Sequence, residues 1–407
     1  MTYPFQLPVR QRPRTAVIGA GVNGLGIAWK LAQAGCEVTV YDKGVAGHGA
    51  SWAAAGMLAA GAEAEPGEEA LTRLGRLGLG LWPDFARTLH EASGIDPEYR
   101  TEGLLIAAMN RDEAERLRFN YEFQISQGIP LEWLSGSEAR RREPHLRSGV
   151  TAAIYSPEDR QANNRKLVQA LHVAAKRAGV VVREHTAVEA VESEAGRVTG
   201  LRVEGELQPA EAVVLAAGPW CREIAGLPED SQPPVRPIKG QMLSLKMDPQ
   251  APLLRHVLWA PTIYLVPRLD GTLLIGGTVE EKGFDTDLTA GGIYALLEAA
   301  WRAVPSIEEL PIAEMWVGFR PGSRDDAPIL GQAALEGLWL ATGHHRNGIL
   351  LAPLTAEAIA AEILSGERIE EIVPFALSRF ALQGPRSLVK AGAAEPNVSP
   401  EAEADEP

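Results

Sequence analysis

Residues 15–42 read TAVIGAGVNGLGIAWKLAQAGCEVTVYD and set the architecture of the chain. The β-branched run at 15–19 predicts a strand, and the apolar residues of 22–34 recur at helical spacing. Gly35 predicts the end of that helix, and the alternation of valines with polar residues at 37–42 predicts a second strand. The order of strand, glycine turn, helix and strand predicts a βαβ unit, and with it an α/β fold.

The turn after the first predicted strand carries the pattern G-x-G-x-x-G, with glycines at Gly19, Gly21 and Gly24. Such glycines let the backbone approach a pyrophosphate at the positive N-terminus of the following helix. Asp42 closes the second predicted strand, where a carboxylate can accept hydrogen bonds from an adenosine ribose. These features predict dinucleotide binding in preference to a purely structural turn. They do not separate NAD from FAD, because both carry the same adenosine diphosphate half.

The later chain predicts a second α/β segment and an antiparallel sheet. A helix at 164–178 is followed by a short meander and a strand at 212–217. Residues 235–277 hold short alternating runs, and Asp270 with Gly271 is a strong hairpin signal. We therefore predict a Rossmann-like domain and a second α+β substrate domain built on an antiparallel sheet. We assign residues 13–95, 155–234 and 325–382 to the first domain, 96–154 and 235–324 to the second, 1–12 to an extension, and 383–407 to a disordered acidic tail.

Composition and charge disfavour several classes of protein. The chain has 407 residues, of which 45% are hydrophobic, so it is long enough for two or three domains. Its formal net charge of -14 disfavours binding to nucleic acid or to an anionic membrane surface. Its two cysteines, Cys36 and Cys221, are too few for a disulfide framework and fit a reducing compartment. Residues 44–62 lack charge but are mostly Gly and Ala, so we predict no membrane span and a cytoplasmic protein.

Three further segments place small residues near predicted strand ends. Residues 50–57 read ASWAAAGM, which suits either a close approach of the backbone to a flat ligand or a packed helix. Residues 213–220 read VVLAAGPW, a strand that runs into a glycine turn. Residues 338–351 read LWLATGHHRNGILL, a strand whose turn opens a helix predicted over 349–364. A helix start aimed at a flavin would stabilise negative charge on the reduced ring, so these segments favour FAD.

These segments, with Tyr264 before LVPR and with GFRPGSRDDAPILG at 318–331, resemble the FAD-dependent amine and D-amino acid oxidase family. The likeness is greatest to the glycine oxidases of thiamine biosynthesis and extends over residues 14–382. Some sarcosine oxidases of this family tether FAD through a cysteine within 322–331, where this chain has none, so the resemblance implies noncovalent FAD. It also implies that FAD is contacted by Gly19, Gly21, Val22, Asn23, Gly24, Asp42, Lys43, Ala50, Ser51, Ala55, Gly56, Met57, Val188, Ala217, Gly218, His344, His345, Arg346, Asn347, Gly348, Ile349 and Leu350.

Two arginines are the main catalytic candidates. Arg320 in GFRPGS and Arg346 in GHHRNG are flanked by residues that break regular structure, which predicts that both project from turns into one cavity. A guanidinium binds a carboxylate through two parallel hydrogen bonds, although an arginine in a turn more often forms a surface ion pair. The resemblance implies that Arg320 binds the substrate carboxylate and that Arg346 lies beside the pocket and the flavin. Tyr264 would bind the same carboxylate or line the cavity, and Met57 joins them as an active-site residue.

The resemblance implies an oxidase that takes a hydride from glycine and reduces O₂ to hydrogen peroxide. The imine would be hydrolysed to glyoxylate and ammonia or used in thiazole synthesis, and no protein acid or base is needed if the amine arrives neutral. Thr262 and Val279 stand where glycine oxidases commonly have His and Met, so sarcosine and small D-amino acids remain alternative substrates. A dehydrogenase with another electron acceptor, a noncatalytic FAD-binding scaffold and a nicotinamide dehydrogenase also remain open. Lys239 either approaches the flavin or lies at a strand edge, and the resemblance implies a homo-oligomer.

Overall fold

The structure is a computed structural model and describes residues 8–381. Its α-helices are α1 (Val22–Gln33), α2 (Ala50–Ala53), α3 (Glu69–Ser93), α4 (Arg111–Ser126), α5 (Gly136–Arg142), α6 (Asn164–Arg177), α7 (Ala290–Ala303) and α8 (Ala352–Ser365). Its strands are β1 (Thr15–Ile18), β2 (Val38–Tyr41), β3 (Met57–Leu58), β4 (Leu104–Ala108), β5 (Glu132–Ser135), β6 (Ala152–Ser156), β7 (Arg160–Gln161), β8 (Val181–Arg183), β9 (Val188–Glu194), β10 (Arg197–Val203), β11 (Glu206–Pro209), β12 (Ala212–Leu215), β13 (Arg236–Lys246), β14 (Val257–Ala260), β15 (Ile263–Pro267), β16 (Thr272–Gly276), β17 (Ile312–Gly322), β18 (Ile329–Gln332) and β19 (Leu338–Thr342). Short 3₁₀ helices cover Gly218–Glu223, Glu229–Ser231, Pro305–Glu309, Glu370–Phe375 and Leu377–Phe380.

The first sheet has its strands in the order β18-β19-β12-β1-β2-β8. β1 pairs in parallel with both β2 and β12, so Thr15 lies opposite Val38 on one side and Ala212 on the other. β19 extends the parallel part of the sheet, and β18 adds an antiparallel edge. α1 connects β1 to β2 and packs on α8. The βαβ unit predicted from residues 15–42 is therefore confirmed.

Both faces of the first sheet are covered, as expected for a largely parallel sheet. Alternate residues of β1 point to opposite faces, so Val17 joins the helices while Ala16 and Ile18 face the three-stranded sheet β9–β10–β11. On the helical face Leu25 of α1 packs in one cluster with Ile359 of α8, and both are fully buried. The layers on the two faces exclude water from the sheet and fix the positions of its strand ends.

The second sheet has eight strands in the order β17-β13-β16-β15-β14-β4-β6-β5. It is antiparallel except where β14 runs parallel to β4. The hairpin between β15 and β16 turns at Asp270 and Gly271, where Gly271 has a φ of 84°. One face of the sheet packs on α7 through Leu296 and Ala300, and both are nearly fully buried. The antiparallel sheet predicted for residues 235–277 is confirmed.

Some boundaries differ from the prediction. The helix predicted over 349–364 begins at Ala352, because residues up to Leu351 still form turns and Pro353 suits the first helical turn. The predicted domain boundary between 154 and 155 falls inside β6, which pairs with β4 along its whole length. The predicted tail at 383–407 lies outside the described residues, as do residues 1–7 of the extension. Among residues 8–381, no helix combines the length and the apolar character needed to cross a bilayer.

Candidate active site

A cleft of about 410 Å³ opens at the carboxyl ends of β1, β2, β12 and β19, and we call it the dinucleotide cleft. Ligands of open α/β sheets bind at this end of the strands. Its walls include many residues predicted to contact a cofactor: Gly19, Gly21, Val22, Asn23, Asp42, Lys43, Ala50, Ser51, Val188, Ala217, Gly218, His344, His345, Arg346, Gly348 and Ile349. Segments far apart in the sequence thus form one continuous wall.

The N-terminus of α1 is an anion-binding end at the floor of this cleft. Gly21 precedes the helix and provides no side-chain cap, while the Ser51 hydroxyl accepts a hydrogen bond from the Val22 amide at 2.9 Å. The following amides of the first turn have no intrahelical acceptor, and the helix dipole makes this end positive. The arrangement suits a pyrophosphate group.

Asp42 holds the loops on both sides of the cleft. Its Oδ2 accepts a hydrogen bond from the Ala20 amide at 2.7 Å, and its Oδ1 accepts one from the Gly44 amide at 2.8 Å. Each carboxylate oxygen retains a further lone pair that can accept from a ribose hydroxyl. The next residue, Lys43, forms an ion pair with Glu223 at 2.7 Å and lies over the Trp220 ring.

Two adjacent histidines close the cleft on the side of β19. Burial lowers the pKa of His344 to about 3, and its Nε2 lies 3.1 Å from the Thr355 hydroxyl. Burial also lowers the pKa of His345 to about 4, although the Asp326 carboxylate opposes this effect. Both imidazoles are therefore neutral at physiological pH, and neither supplies a positive charge to a bound group.

A second cavity of about 360 Å³ adjoins the cleft and shares part of its wall, including Ala50, His345, Arg346 and Ile349. Its other predicted site residues are Ala55, Gly56, Met57, Tyr264, Arg320 and Asn347. Thr262 and Val279 also line it. The structure therefore brings both arginines that were catalytic candidates, together with Tyr264 and Met57, to one cavity, as the sequence predicts.

The wall formed by residues 50–57 is held in place by the second sheet. The buried guanidinium of Arg268 donates hydrogen bonds to the Ala55 carbonyl at 2.6 Å and to the Ala162 carbonyl at 2.8 Å. The indole of Trp316 donates to the Ala53 carbonyl at 3.1 Å. The segment contains the short helix α2, so neither predicted alternative describes it completely, because only its first half is helical.

Arg320 lies on strand β17, so the prediction that it projects from a turn is wrong. The glycines and proline around it do not interrupt the strand, because Ile238 and Gly240 on the neighbouring strand β13 keep the pairing in register. Its Nη1 donates to the Thr278 carbonyl at 3.0 Å. Within residues 8–381, no carboxylate lies within ion-pair distance of Arg320. This guanidinium is available to an anion that enters the cavity.

Tyr264 stands beside Arg320. Burial raises the pKa of Tyr264 despite the opposing effect of the Arg320 charge, so its hydroxyl stays protonated. The hydroxyl lies 3.2 Å from the sulfur of Met242, a weak acceptor. A stronger acceptor such as a carboxylate would therefore gain a hydrogen bond here.

Arg346 lies in a turn after β19, as predicted, but it is already paired. Its Nε is 2.7 Å from Oε2 of Glu63, and its Nη2 is 3.7 Å from Oε2 of Glu68. Burial lowers the pKa of Arg346, but the surrounding carboxylates outweigh it and raise the value overall. Glu63 is not among the site residues predicted from the sequence. Its signal was an acidic run directly after the small residues at 50–60, which ordinarily indicates a solvated surface.

Three predicted residues lie outside both cavities. Gly24 packs against Gly19 within the turn, and Leu350 belongs to the core and accepts a hydrogen bond from Trp82 through its carbonyl. Lys239 lies on β13, where it pairs with Phe319 of β17 on one side and exchanges backbone hydrogen bonds with Glu280 on the other, so it is not at a strand edge. It is fully buried, and its Nζ donates to Asp285 and to a backbone carbonyl, which anchors the loop after β16.

The fold and the two joined cavities define an α/β oxidoreductase in which the dinucleotide cleft adjoins a second cavity lined by a guanidinium that has no carboxylate partner among residues 8–381. The chain belongs to the DAO family of FAD dependent oxidoreductases, whose model matches residues 14–362. It is 37% identical to a glycine oxidase of Geobacillus kaustophilus, over 89% of this chain and 96% of the relative. The crystal structure of glycine oxidase from that organism has a TM-score of 0.84 and 36% identity, covering 90% of this chain and 99% of the other.

A longer relative is the bifunctional protein ThiO/ThiG of Trichormus variabilis. It is 38% identical over 90% of this chain but only 55% of its own length. This chain thus spans about half the length of the bifunctional relatives that it matches.

FAD is the cofactor of this family, and the residues present fit it. A side chain at Gly19 would place its Cβ 2.5 Å from the Ala216 carbonyl oxygen, so only glycine fits at this position beside the cleft. The positive helix end at Val22 and the carboxylate of Asp42 match a pyrophosphate and a ribose, respectively.

Proposed function

We propose that this protein oxidises glycine with FAD and O₂, giving hydrogen peroxide and an imine that is hydrolysed to glyoxylate and ammonia or consumed in thiazole synthesis. The observation that carries the proposal is the guanidinium of Arg320, which lines the second cavity without a carboxylate partner among residues 8–381. The glycine oxidase and ThiO/ThiG relatives support the choice of glycine and the link to thiamine biosynthesis.

In this mechanism Arg320 and Tyr264 bind the substrate carboxylate and so orient the α-carbon. Bound FAD would supply the acceptor for the hydride, which carries two electrons, and O₂ would take up those two electrons with two protons to give hydrogen peroxide. Arg346 and the neutral His345 line both cavities, Met57 lines the second, and together they exclude water from the reacting carbon.

The alternative functions use the same site. A dehydrogenase would bind the amino acid in the same way but pass its electrons to an acceptor other than O₂. A noncatalytic scaffold would have no reason to keep Arg320 free of a carboxylate partner inside a cavity, which disfavours it. We further propose that the protein is cytoplasmic, because its two cysteines fit a reducing compartment, and that it is a homo-oligomer, as the resemblance to its family implies.

The first test is hydrogen peroxide release by the purified protein in air with glycine, sarcosine, D-alanine or D-proline. We expect a yellow protein that releases peroxide fastest with glycine, as its similarity to glycine oxidases suggests. Anaerobic bleaching by an amine without peroxide release in air would move the function to a dehydrogenase. Failure of every amine to bleach the flavin would favour a scaffold.

We propose that FAD is held without a covalent bond. Cys221 is fully buried and donates a hydrogen bond to Thr342, and burial raises the pKa of its thiol to about 12, so it is not a reactive thiolate. Cys36 is also buried, and neither cysteine lines the cleft. Acid precipitation should therefore leave all the yellow colour in the supernatant and the mass of the polypeptide unchanged. Flavin that stays with the precipitated chain would contradict this.

A further inference from the structure

Glu63 lines the second cavity but has no role in the substrate binding or hydride transfer proposed above. Among the described residues that line the second cavity, it is the only one with a carboxylate side chain, and it shares the wall with Arg320 and Arg346. Its side chain is only 12% exposed. Burying a carboxylate costs free energy, so its place on a cavity wall calls for an explanation beyond solubility.

The loop that carries Glu63 is held rigidly from both sides. The buried carboxylate of Asp159 accepts hydrogen bonds from the amides of Gly61 and Ala62, both at 2.8 Å. The buried amide of Gln124 donates to the carbonyls of Ala62 and Ala64, both at 3.1 Å. Backbone donors and acceptors on either side of Glu63 are therefore fixed by two side chains from elsewhere in the fold. These hydrogen bonds fix the position of the Glu63 carboxylate relative to the second cavity.

Burial and the charges around Glu63 bring its pKa close to neutral pH. Burial raises the pKa of Glu63, the Arg346 guanidinium at 2.7 Å lowers it, and the carboxylates of Asp159, Glu65 and Glu68 raise it further. The result is a pKa of about 7. A group with such a value can both take up and release a proton at physiological pH.

The proposed reaction needs a proton acceptor at this place. An amino acid arrives with a carboxylate and an ammonium group, and the carbon–nitrogen double bond of the imine forms from a nitrogen lone pair. The ammonium must therefore lose a proton before the hydride leaves the α-carbon. The positive charges of Arg320 and Arg346 favour that loss, because like charges lower the pKa of an ammonium group.

We propose that Glu63 accepts this proton from the substrate ammonium, a role that rests on the proposed function. An N–H bond of the ammonium breaks and an O–H bond forms on Glu63, with the electron pair left on nitrogen and no change in oxidation state. The hydride then leaves as in the proposed function. His345 is the other titratable group nearby that could compete, but with a pKa of about 4 it is too weak a base at neutral pH.

The test is anaerobic flavin reduction by glycine, measured in a stopped-flow instrument from about pH 6 to 10. The proteins compared are wild type, Glu63→Gln, Glu63→Asp and the control Glu68→Gln. Glu68 is also near Arg346 but does not line the second cavity. We expect the reduction rate of wild type to fall towards acid pH with a midpoint near 7. Glu68→Gln should keep this acid limb with a somewhat lower midpoint, because the Glu68 charge raises the pKa of Glu63. In Glu63→Gln the limb near pH 7 should be replaced by one at higher pH, where water deprotonates the amine, so the variant should be roughly 100-fold slower at pH 7 and recover at high pH.

Glu63→Asp keeps a carboxylate and should keep an acid limb, which a purely structural role of Glu63 would not predict. An equal loss at every pH in Glu63→Gln, or an unchanged midpoint, overturns the role of Glu63 while leaving the proposed function intact. If no amino acid bleaches the flavin of any of these proteins, the proposed function fails and the role of Glu63 fails with it.

A second measurement does not depend on turnover. In protein labelled with ¹³C at the glutamate carboxyl carbon, wild type should show one signal that titrates near pH 7 and that is missing in Glu63→Gln. Absence of such a signal contradicts the proton acceptor even if Glu63→Gln folds poorly.

Discussion

Replacing Arg320 by alanine is expected to lower kcat/KM for glycine by about 30- to 5,000-fold while the protein remains yellow. The loss corresponds to roughly 2–5 kcal/mol, because the substrate carboxylate would be buried without its charged partner. FAD content should be unchanged, since Arg320 lines the second cavity and not the dinucleotide cleft. Steady-state kinetics and the flavin-to-protein absorbance ratio measure the two effects separately.

Two further variants sharpen this prediction. Arg320→Lys keeps the charge but not the paired geometry of the guanidinium, so its kcat/KM should lie between those of wild type and Arg320→Ala. Arg324→Ala removes an exposed arginine four residues further on and should have no effect on kinetics. Unchanged kinetics in Arg320→Ala would remove this residue from the site and with it the main support for an amino acid substrate.

Replacing Gly24 by alanine is expected to destabilise the protein by roughly 3 kcal/mol and to abolish FAD binding, because a methyl group cannot fit there without moving backbone. Its Cβ would lie 1.9 Å from the Gly19 carbonyl oxygen and 3.3 Å from a methyl group of Val17. The atom in the way is backbone at the start of the cofactor turn, so relief of the clash must distort that turn. Denaturant unfolding and flavin content of the purified variant check both parts.

The matched control is Gly80→Ala, which also adds a methyl group within a helix. Gly80 is exposed in α3, and nothing lies within 4 Å of a Cβ added to it. This change should stabilise the protein by about 0.5–1 kcal/mol, because alanine favours a helix over glycine. A Gly24→Ala protein with normal FAD content and an unfolding midpoint equal to wild type would contradict the steric argument.

The local part of the fold was predictable from the sequence, because βαβ units are specified by patterns within a few dozen residues. The strand, turn and helix of residues 15–42 follow from apolar spacing and from the glycines alone. The hairpin at Gly271 was equally local. What the patterns could not provide was the pairing of distant strands, such as β1 with β12 and β12 with β19.

The errors in the site have the same physical cause. The glycines and proline around Arg320 indicated a turn, but pairing with β13 keeps the segment extended. The sequence around Lys239 shows an isolated charge in an apolar strand and does not indicate its partner. Only the fold shows that Asp285 neutralises it. Glu63 and Arg346 are nearly three hundred positions apart, and nothing local in either segment predicts their contact. The structure therefore adds charge pairing to a site whose backbone the motifs already outlined.

The strand order of the first sheet also bears on how the protein is made. The ribosome releases β1 early, but its sheet is complete only when β19, at Leu338–Thr342, has emerged. Until then the nascent chain exposes an open edge of β12, the kind of edge that promotes aggregation. A premature stop codon before β19 would leave that edge permanently uncovered, so such truncated products should be insoluble and not merely inactive.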